Sequence, residues 1–274
     1  MNKDPQKRDQ DLAAYSDYDQ KRRHKRTIRA IAVTVIALVL VVLISALFMK
    51  RLFKVETLIV DGVENYSFND IKSASGITEE SIIFFVREKK VESLLKAKFP
   101  YVREIELERD YPSTVNIVIT EEKPEFYFEY DGEYFVITSE MKILEIFREK
   151  ERMQKSLPGL KRVIMPKIGR AMLSEKLELF DEKDTRHIGS LLEALSGWSE
   201  FDKIDDINVV NRFDVSVEYD GRLTLKFGSR QDIETKLSFA LGILAVYSDK
   251  AQGTVIIDSI DEAVARVDDP EKKD

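Results

Sequence analysis

The sequence predicts an α+β protein: one transmembrane helix, then a β-α-α-β-β module, then a mixed, β-rich domain with two or more packed helices. Three observations lead there. An uncharged apolar run fills Ala30 to Met49. Period-2 and period-3.6 apolar patterns succeed one another over roughly the next seventy residues. Beyond Glu125, two Asp-Gly dipeptides, Asp131-Gly132 and Asp220-Gly221, each sit between alternating apolar stretches, the strongest short-range signal for a hairpin.

The apolar run holds 20 residues, about 30 Å of helix at about 1.5 Å per residue, which matches a bilayer's hydrocarbon core. A helix also satisfies its own backbone bonds there. Thirteen members of the run are Ile, Val, Leu or Phe, together worth about −4 to −8 kcal/mol on insertion scales. Lys21, Arg22, Arg23, Lys25, Arg26 and Arg29 precede it, against Lys50, Arg51 and Lys54 beyond it, so the positive-inside rule places the N-terminus in the cytoplasm. Signal peptides have shorter apolar cores of about 7–15 residues ending in a small-x-small site. Here Lys50 and Arg51 follow Met49 directly, which predicts an uncleaved anchor over 28–49.

Residues 1–29 carry nine Lys/Arg and five Asp/Glu. Of totals of 43 and 50, the remainder therefore holds 34 against 45, a net of −11. An acidic ectodomain lacks the basic face that nucleic acid or anionic lipid requires. The chain has no cysteine, which removes disulfides, thiolate catalysis and Cys-type zinc sites. Residues 1–27 are polar and lack an apolar period, so they read as a disordered cytoplasmic tail. Residues 263–274, ending in Asp-Asp-Pro-Glu-Lys-Lys-Asp, read as a polar tail that frays.

Along the first module, Val55 to Val60 alternates as a strand and stops at Asp61-Gly62. Ser67 and Asp70 have capping-box spacing for a helix with Phe68, Ile71 and Ala74 on its apolar side, ended by Gly76. A second helix, from about Glu88 to Ala97, has Val91, Leu94 and Leu95 as its stripe and stops at Phe99-Pro100. Two strands follow, around Glu104 to Glu108 and Val115 to Thr120, joined by a turn containing Pro112. In the second module, 124–262, the Asp-Gly hairpins enclose a charged loop over Arg148 to Lys155 and a helix over Thr185 to Ser196. A further helix carries Ile233, Leu237 and Leu241, and a last strand runs Thr254 to Asp258.

Phe53-Lys54-Val55, Val60-Asp61-Gly62-Val63, Phe99-Pro100-Tyr101-Val102, Arg109 to Val115 and Glu121-Glu122-Lys123-Pro124 together resemble the POTRA signature of the FtsQ/DivIB family of bacterial division proteins. Leu157-Pro158-Gly159-Leu160, Leu225 to Gly228 with Lys236, and Gly253 to Asp258 resemble landmarks of that family's β domain. The resemblance covers about residues 28–262 and implies a POTRA domain at 53–121 and a β domain at 124–262. One departure stands out. Family members often carry an Asp and a Gly after the first hairpin, where this chain has Thr138-Ser139-Glu140-Met141-Lys142.

The resemblance implies a non-catalytic bitopic scaffold that links septal partners outside the membrane and supports septum formation. Its partners would be FtsB/DivIC-type and FtsL-type bitopic proteins, bound through the C-terminal strands. At the matching positions these are Gly253, Thr254, Val255, Ile256, Ile257, Asp258 and Ser259. A last strand left unpaired at a sheet edge would invite strand addition. The rival reading is an exported envelope enzyme or sensor with a POTRA-like chaperone module, and the residues offer it little. The histidines are His24 and His187, no Gly-rich phosphate loop or His-x-x-x-His pair occurs, and pairs such as Glu121-Glu122 and Asp205-Asp206 read as solvated faces. No catalytic residue, cofactor, metal, nucleic-acid partner or small-molecule substrate is expected. Trp198 reads as a core lid after a helix stop, whereas Tyr127, Tyr130 and Tyr134 suit either cross-strand packing or a sticky aromatic surface.

Overall fold

The computed structural model describes residues 31–229, 231–257 and 263–271. The tail at 1–27, with its basic cluster and His24, lies outside them. Among the described residues one helix is long and apolar enough to cross a membrane, α1 (Ile31–Leu52), with every apolar side chain exposed. The chain then packs as two units. The first takes residues up to Ile59, Ile77–Arg87 and Glu108–Asn116; the second takes Val60–Gly76, Glu88–Leu107 and everything from Ile117.

The membrane-proximal module runs β1 (Thr57–Asp61), α2 (Phe68–Ser75), a short 3-10 turn at Ile83–Phe85, α3 (Glu88–Lys98), β2 (Val102–Asp110) and β3 (Thr114–Glu121), with sheet order β1-β3-β2. Local chemistry sets these bounds. The Ser67 hydroxyl accepts from the Asp70 N–H and donates to the Asp70 carboxylate at 2.6 Å, satisfying an orphan donor at the start of α2. Gly76, at φ +70°, ends that helix in the left-handed conformation. On β3, Val115, Ile117 and Ile119 are buried and alternate with half-buried neighbours.

The larger domain is a nine-stranded sheet in the order β14-β13-β12-β11-β10-β7-β4-β5-β6. Its strands are β4 (Phe126–Tyr130), β5 (Glu133–Ile137), β6 (Ile143–Phe147), β7 (Lys161–Ile164), β10 (Ile204–Asn208), β11 (Val215–Tyr219), β12 (Leu223–Gly228), β13 (Gln252–Ile256) and β14 (Val264–Asp268). A two-stranded ribbon, β8 (Ile168–Arg170) with β9 (Glu178–Leu179), precedes α5 (Glu182–Ser196), and α6 (Ile233–Leu244) connects β12 to β13. The main core lies where both helices meet the sheet: Ile188, Leu192 and Leu237 close over Phe128, Val217, Leu225, Phe227 and Val255.

Both Asp-Gly dipeptides adopt the positive φ that a type I′ turn needs, Asp131 and Gly132 at 50° and 75°, Asp220 and Gly221 at 56° and 62°. The first gives a two-residue loop between Tyr130 and Glu133. In the second, pairing starts at Tyr219 and Leu223, so Arg222 is one residue extra. Its guanidinium donates to the Ser248 and Ala251 carbonyls at 3.1 and 3.3 Å, tying the hairpin to the segment that enters β13.

Three expectations need correction. The charged loop at 148–155 contains a helix, α4 (Lys150–Ser156), whose single buried side chain, Met153, packs with Tyr127, Val136 and Phe147 on the second face of the sheet. One apolar residue in seven leaves no period to read. The polar tail from 263 instead forms β14, and Asp269 beyond it accepts from the Ser248 N–H and hydroxyl at 3.0 and 2.6 Å. The last strand is therefore not β13, whose two flanks are both paired.

Trp198 is buried in the main core, its ring centroid 6.1 Å from that of Tyr219. Tyr127 is buried and Tyr134 packs against it, while Tyr130 is exposed, so cross-strand packing accounts for the first two. At the departure after the first hairpin, buried Met141 takes φ +68°, and its N–H donates to the Thr138 carbonyl at 3.0 Å.

Within the second unit, Lys142 ties the two modules together. Its ammonium donates to the Glu122 carboxylate at 3.0 Å and to the Val102 carbonyl at 3.1 Å. Beside it the Tyr101 hydroxyl donates to Glu145 at 2.6 Å, and burial, reinforced by that carboxylate, pushes the phenol well above its usual range. Lys142→Ala would leave a largely buried carboxylate and a carbonyl without their ammonium. The expected loss is about 1–3 kcal/mol, to be read as a lower thermal midpoint of the full chain in detergent; an unchanged midpoint would make this pair incidental.

Candidate partner-binding edge

The seven residues singled out from the sequence divide. Gly253, Thr254, Val255 and Ile256 lie on β13 and Ile257 just after it, whereas Asp258 and Ser259 fall outside the described residues. β13 pairs parallel to β12 (Leu225 with Val255) and antiparallel to β14 (Val255 with Ala265), so its backbone is not open to a partner. The expected free edge is thus corrected. Val255 and Ile257 are fully buried, and a proline at Val255 would damage an interior strand, which says nothing about a partner.

The exposed edge is β14, with no strand on its outer side among the described residues. The Gly253 and Ile257 N–H groups donate to the Arg222 and Lys226 carbonyls of the β12 side, at 3.2 and 2.7 Å. Strand alternation turns Val255 the same way, so its partner across the register, Ala265, directs its own N–H and C=O away from β13. Ala263, Ala265 and Val267 face α6, and Val264, Arg266 and Asp268 the opposite side, all but Ala263 and Val267 exposed. Between β14 and the end of α6 runs an apolar groove of about 410 Å³, lined by Phe239, Ile243, Val246, Tyr247, Ala263 and Ala265. An added strand would meet unpaired backbone groups on one side and an apolar trough beside them.

The sheet's other edge is less open. At β6 the Ile143 N–H donates to the Glu175 carbonyl and its carbonyl accepts from the Ser174 N–H, both at 2.9 Å, so the 174–177 segment already covers its start.

Two features set the site's geometry. Gly253 sits at φ +146°, and a Cβ there would lie 2.2 Å from the Arg266 carbonyl oxygen, so only glycine lets β14 close on β13. Lys236 on α6 is buried, and its ammonium donates to the Phe227 and Ser229 carbonyls at 2.8 and 3.0 Å, fixing the helix that walls the groove to the end of β12. The sequence contained both residues, but not the contacts that make them matter.

A larger cleft of about 790 Å³ lies between α5 and α6, lined by Lys183, His187, Arg212, Phe213, Asp232 and Thr235. Arg212 there lies 3.5 and 3.4 Å from the Asp181 and Asp184 carboxylates, so its charge is already met. Among the described residues no group of three or more His, Asp and Glu is placed to hold a metal ion.

An apolar helix long enough to cross a membrane, a small β-α-α-β-β module and a large sheet exposed at its β14 edge define a membrane-anchored, two-module protein. Residues 53–122 match the family model described as POTRA domain, FtsQ-type. The chain is 24% identical over 235 residues to cell division protein DivIB of Clostridium botulinum strain Hall, covering 85% of this chain and 88% of the relative. The Loch Maree strain's DivIB gives the same figures, 24% over 235 residues. DivIB of Listeria monocytogenes is 26% identical over 116 residues, 42% of this chain and 43% of that one. Residues 53–122 thus carry a POTRA domain of the FtsQ type, and most of the chain is similar to DivIB cell division proteins.

Proposed function

We propose that this protein is a non-catalytic division scaffold. In this reading α1 anchors it with the N-terminus in the cytoplasm, and the two modules stand outside the membrane at the septum. There the β domain holds bitopic partners of the FtsB/DivIC and FtsL types. The observation that carries the reading is the β14 edge with its adjoining groove, a template for an extended peptide whose apolar side chains would enter beside α6. β13, on which the family resemblance falls, then serves as the strand that supports this edge. Backbone pairing supplies affinity, and alternate side chains supply specificity.

Ala265→Pro tests it. Ala265 turns its N–H outward, so proline there deletes a donor for an incoming strand without removing a β13–β14 bond, and edge strands tolerate proline. Co-purification of the FtsB/DivIC-type partner with the full-length variant is expected to fall at least about tenfold, about 1.4 kcal/mol, with circular dichroism unchanged. Undiminished capture by a folded variant would remove strand addition at this edge.

A further inference from the structure

Four aromatic rings gather where the chain leaves α1. Phe53 follows the helix directly, its ring centroid 4.8 Å from that of Phe84, and Phe84 stacks on Tyr111 at 5.2 Å. Phe84, Tyr111 and Phe85 are 46%, 54% and 75% exposed, an unusual display of aromatic surface shared by the 83–85 turn and the turn between β2 and β3. The turn is held in place. The Ile83 N–H donates to the Phe53 carbonyl and the Val55 N–H to the Ser81 carbonyl, both at 2.9 Å. The Arg109 guanidinium donates to the Val86 carbonyl at 2.8 Å, and the Thr78 N–H donates to the Ser81 hydroxyl at 3.0 Å. Both Phe84 and Phe85 are therefore displayed by a fixed scaffold. All these residues belong to the first unit, together with the end of α1.

We propose that this aromatic turn rests in the headgroup layer of the membrane that α1 crosses, as a second lipid contact beside the helix. Depth is the first argument. The uncharged run ends at Met49, and Phe53, four residues on, stands about 6 Å further along the axis, within the roughly 5–7 Å of one headgroup layer. No flexible linker intervenes: the Phe53 N–H still donates to the Met49 carbonyl at 3.0 Å, so the ring that touches Phe84 is carried by the last turn of α1. Composition is the second argument. Tyr concentrates at membrane interfaces and Phe buries its ring at the headgroup boundary when Lys and Arg lie nearby, and Lys50, Arg51, Lys54 and Arg87 flank these rings. The acidic balance of the ectodomain does not oppose this, because ring burial among headgroups needs no net positive face. A protein partner would have to reach a patch continuous with the lipid-facing helix, which makes lipid the fitting occupant.

The inference assumes that α1 spans the bilayer, and the experiment checks that separately. The full chain carrying Phe85→Trp is reconstituted into phosphatidylcholine vesicles, and α1 insertion is scored by flotation after alkaline carbonate washing. Trp198, the one native tryptophan, is buried in the core and serves as the internal reference. Expected is a blue-shifted added emission that headgroup-proximal brominated lipid quenches by about half or more, with wild-type emission unaffected. Tyr111→Trp should report the same from an independent position. Inserted protein whose new tryptophans emit as if in water overturns the proposal. So does shielding from aqueous iodide without quenching by brominated lipid, since a protein surface would then be the cover.

Discussion

Gly253→Val strips β14 from the sheet. A side chain at this position must accept φ +146° and a Cβ 2.2 Å from the Arg266 carbonyl oxygen and 2.9 Å from the Val267 Cα. Backbone strain of this kind costs about 1–3 kcal/mol, and overpacking adds about 1–3 kcal/mol more. β14 is short, mostly exposed and, among the described residues, paired on one side only, so releasing it is the cheaper escape. Amide exchange over 264–268 should accelerate by at least about a hundredfold, equivalent to about 2.7 kcal/mol, while β4, β11 and β12 stay protected. Partner capture should vanish with it. Retained protection across β14 would show that the two strands can separate enough to admit a side chain, and would end the glycine's special role.

Lys236→Met acts on the other wall of the site. Replacing a buried ion pair by apolar side chains can be neutral when both partners are replaced. Here the partners include the Phe227 and Ser229 carbonyls, which remain after the ammonium is gone. Methionine fills the volume of the aliphatic stem, so the loss reads the ammonium's polar contacts rather than packing. We expect about 2–4 kcal/mol of destabilisation, from charge-assisted bonds lost and buried acceptors left unmet. Thermal unfolding of the full chain in detergent reads it, and a midpoint within a degree of wild type would count against the lysine as the pin of α6.

What could be read in advance follows from how local each signal is. Ser67 with Asp70, Gly76, and the two Asp-Gly turns act through their own backbone, and the structure places each where the sequence puts it. The short strands β7 and β10, which pair parallel at the centre of the sheet, have few residues and no turn signature between them, since parallel partners are set by long-range packing. α4 presents one apolar residue to the core, too few for a period. β14 was hidden differently: its Val-Ala-Arg-Val-Asp lies between acidic stretches and reads as tail, and only pairing with β13 makes it a strand. The proposed site was legible to within one strand. The motif at 253–257 was seen and its interior place beside the edge was not, because strand order is a property of the whole sheet.

The two ends of that sheet are unequal, and this limits how copies of the protein can associate. Sheets with two bare flanks can stack head to tail into open-ended filaments, each copy templating the next. Here one flank, β6, is obstructed at its start by the turn around Glu175, so a neighbour's β14 has no full-length mate to dock on. Head-to-tail growth through β14 and β6 therefore meets an obstacle at Ile143, and the bare backbone of the sheet is concentrated at its β14 end.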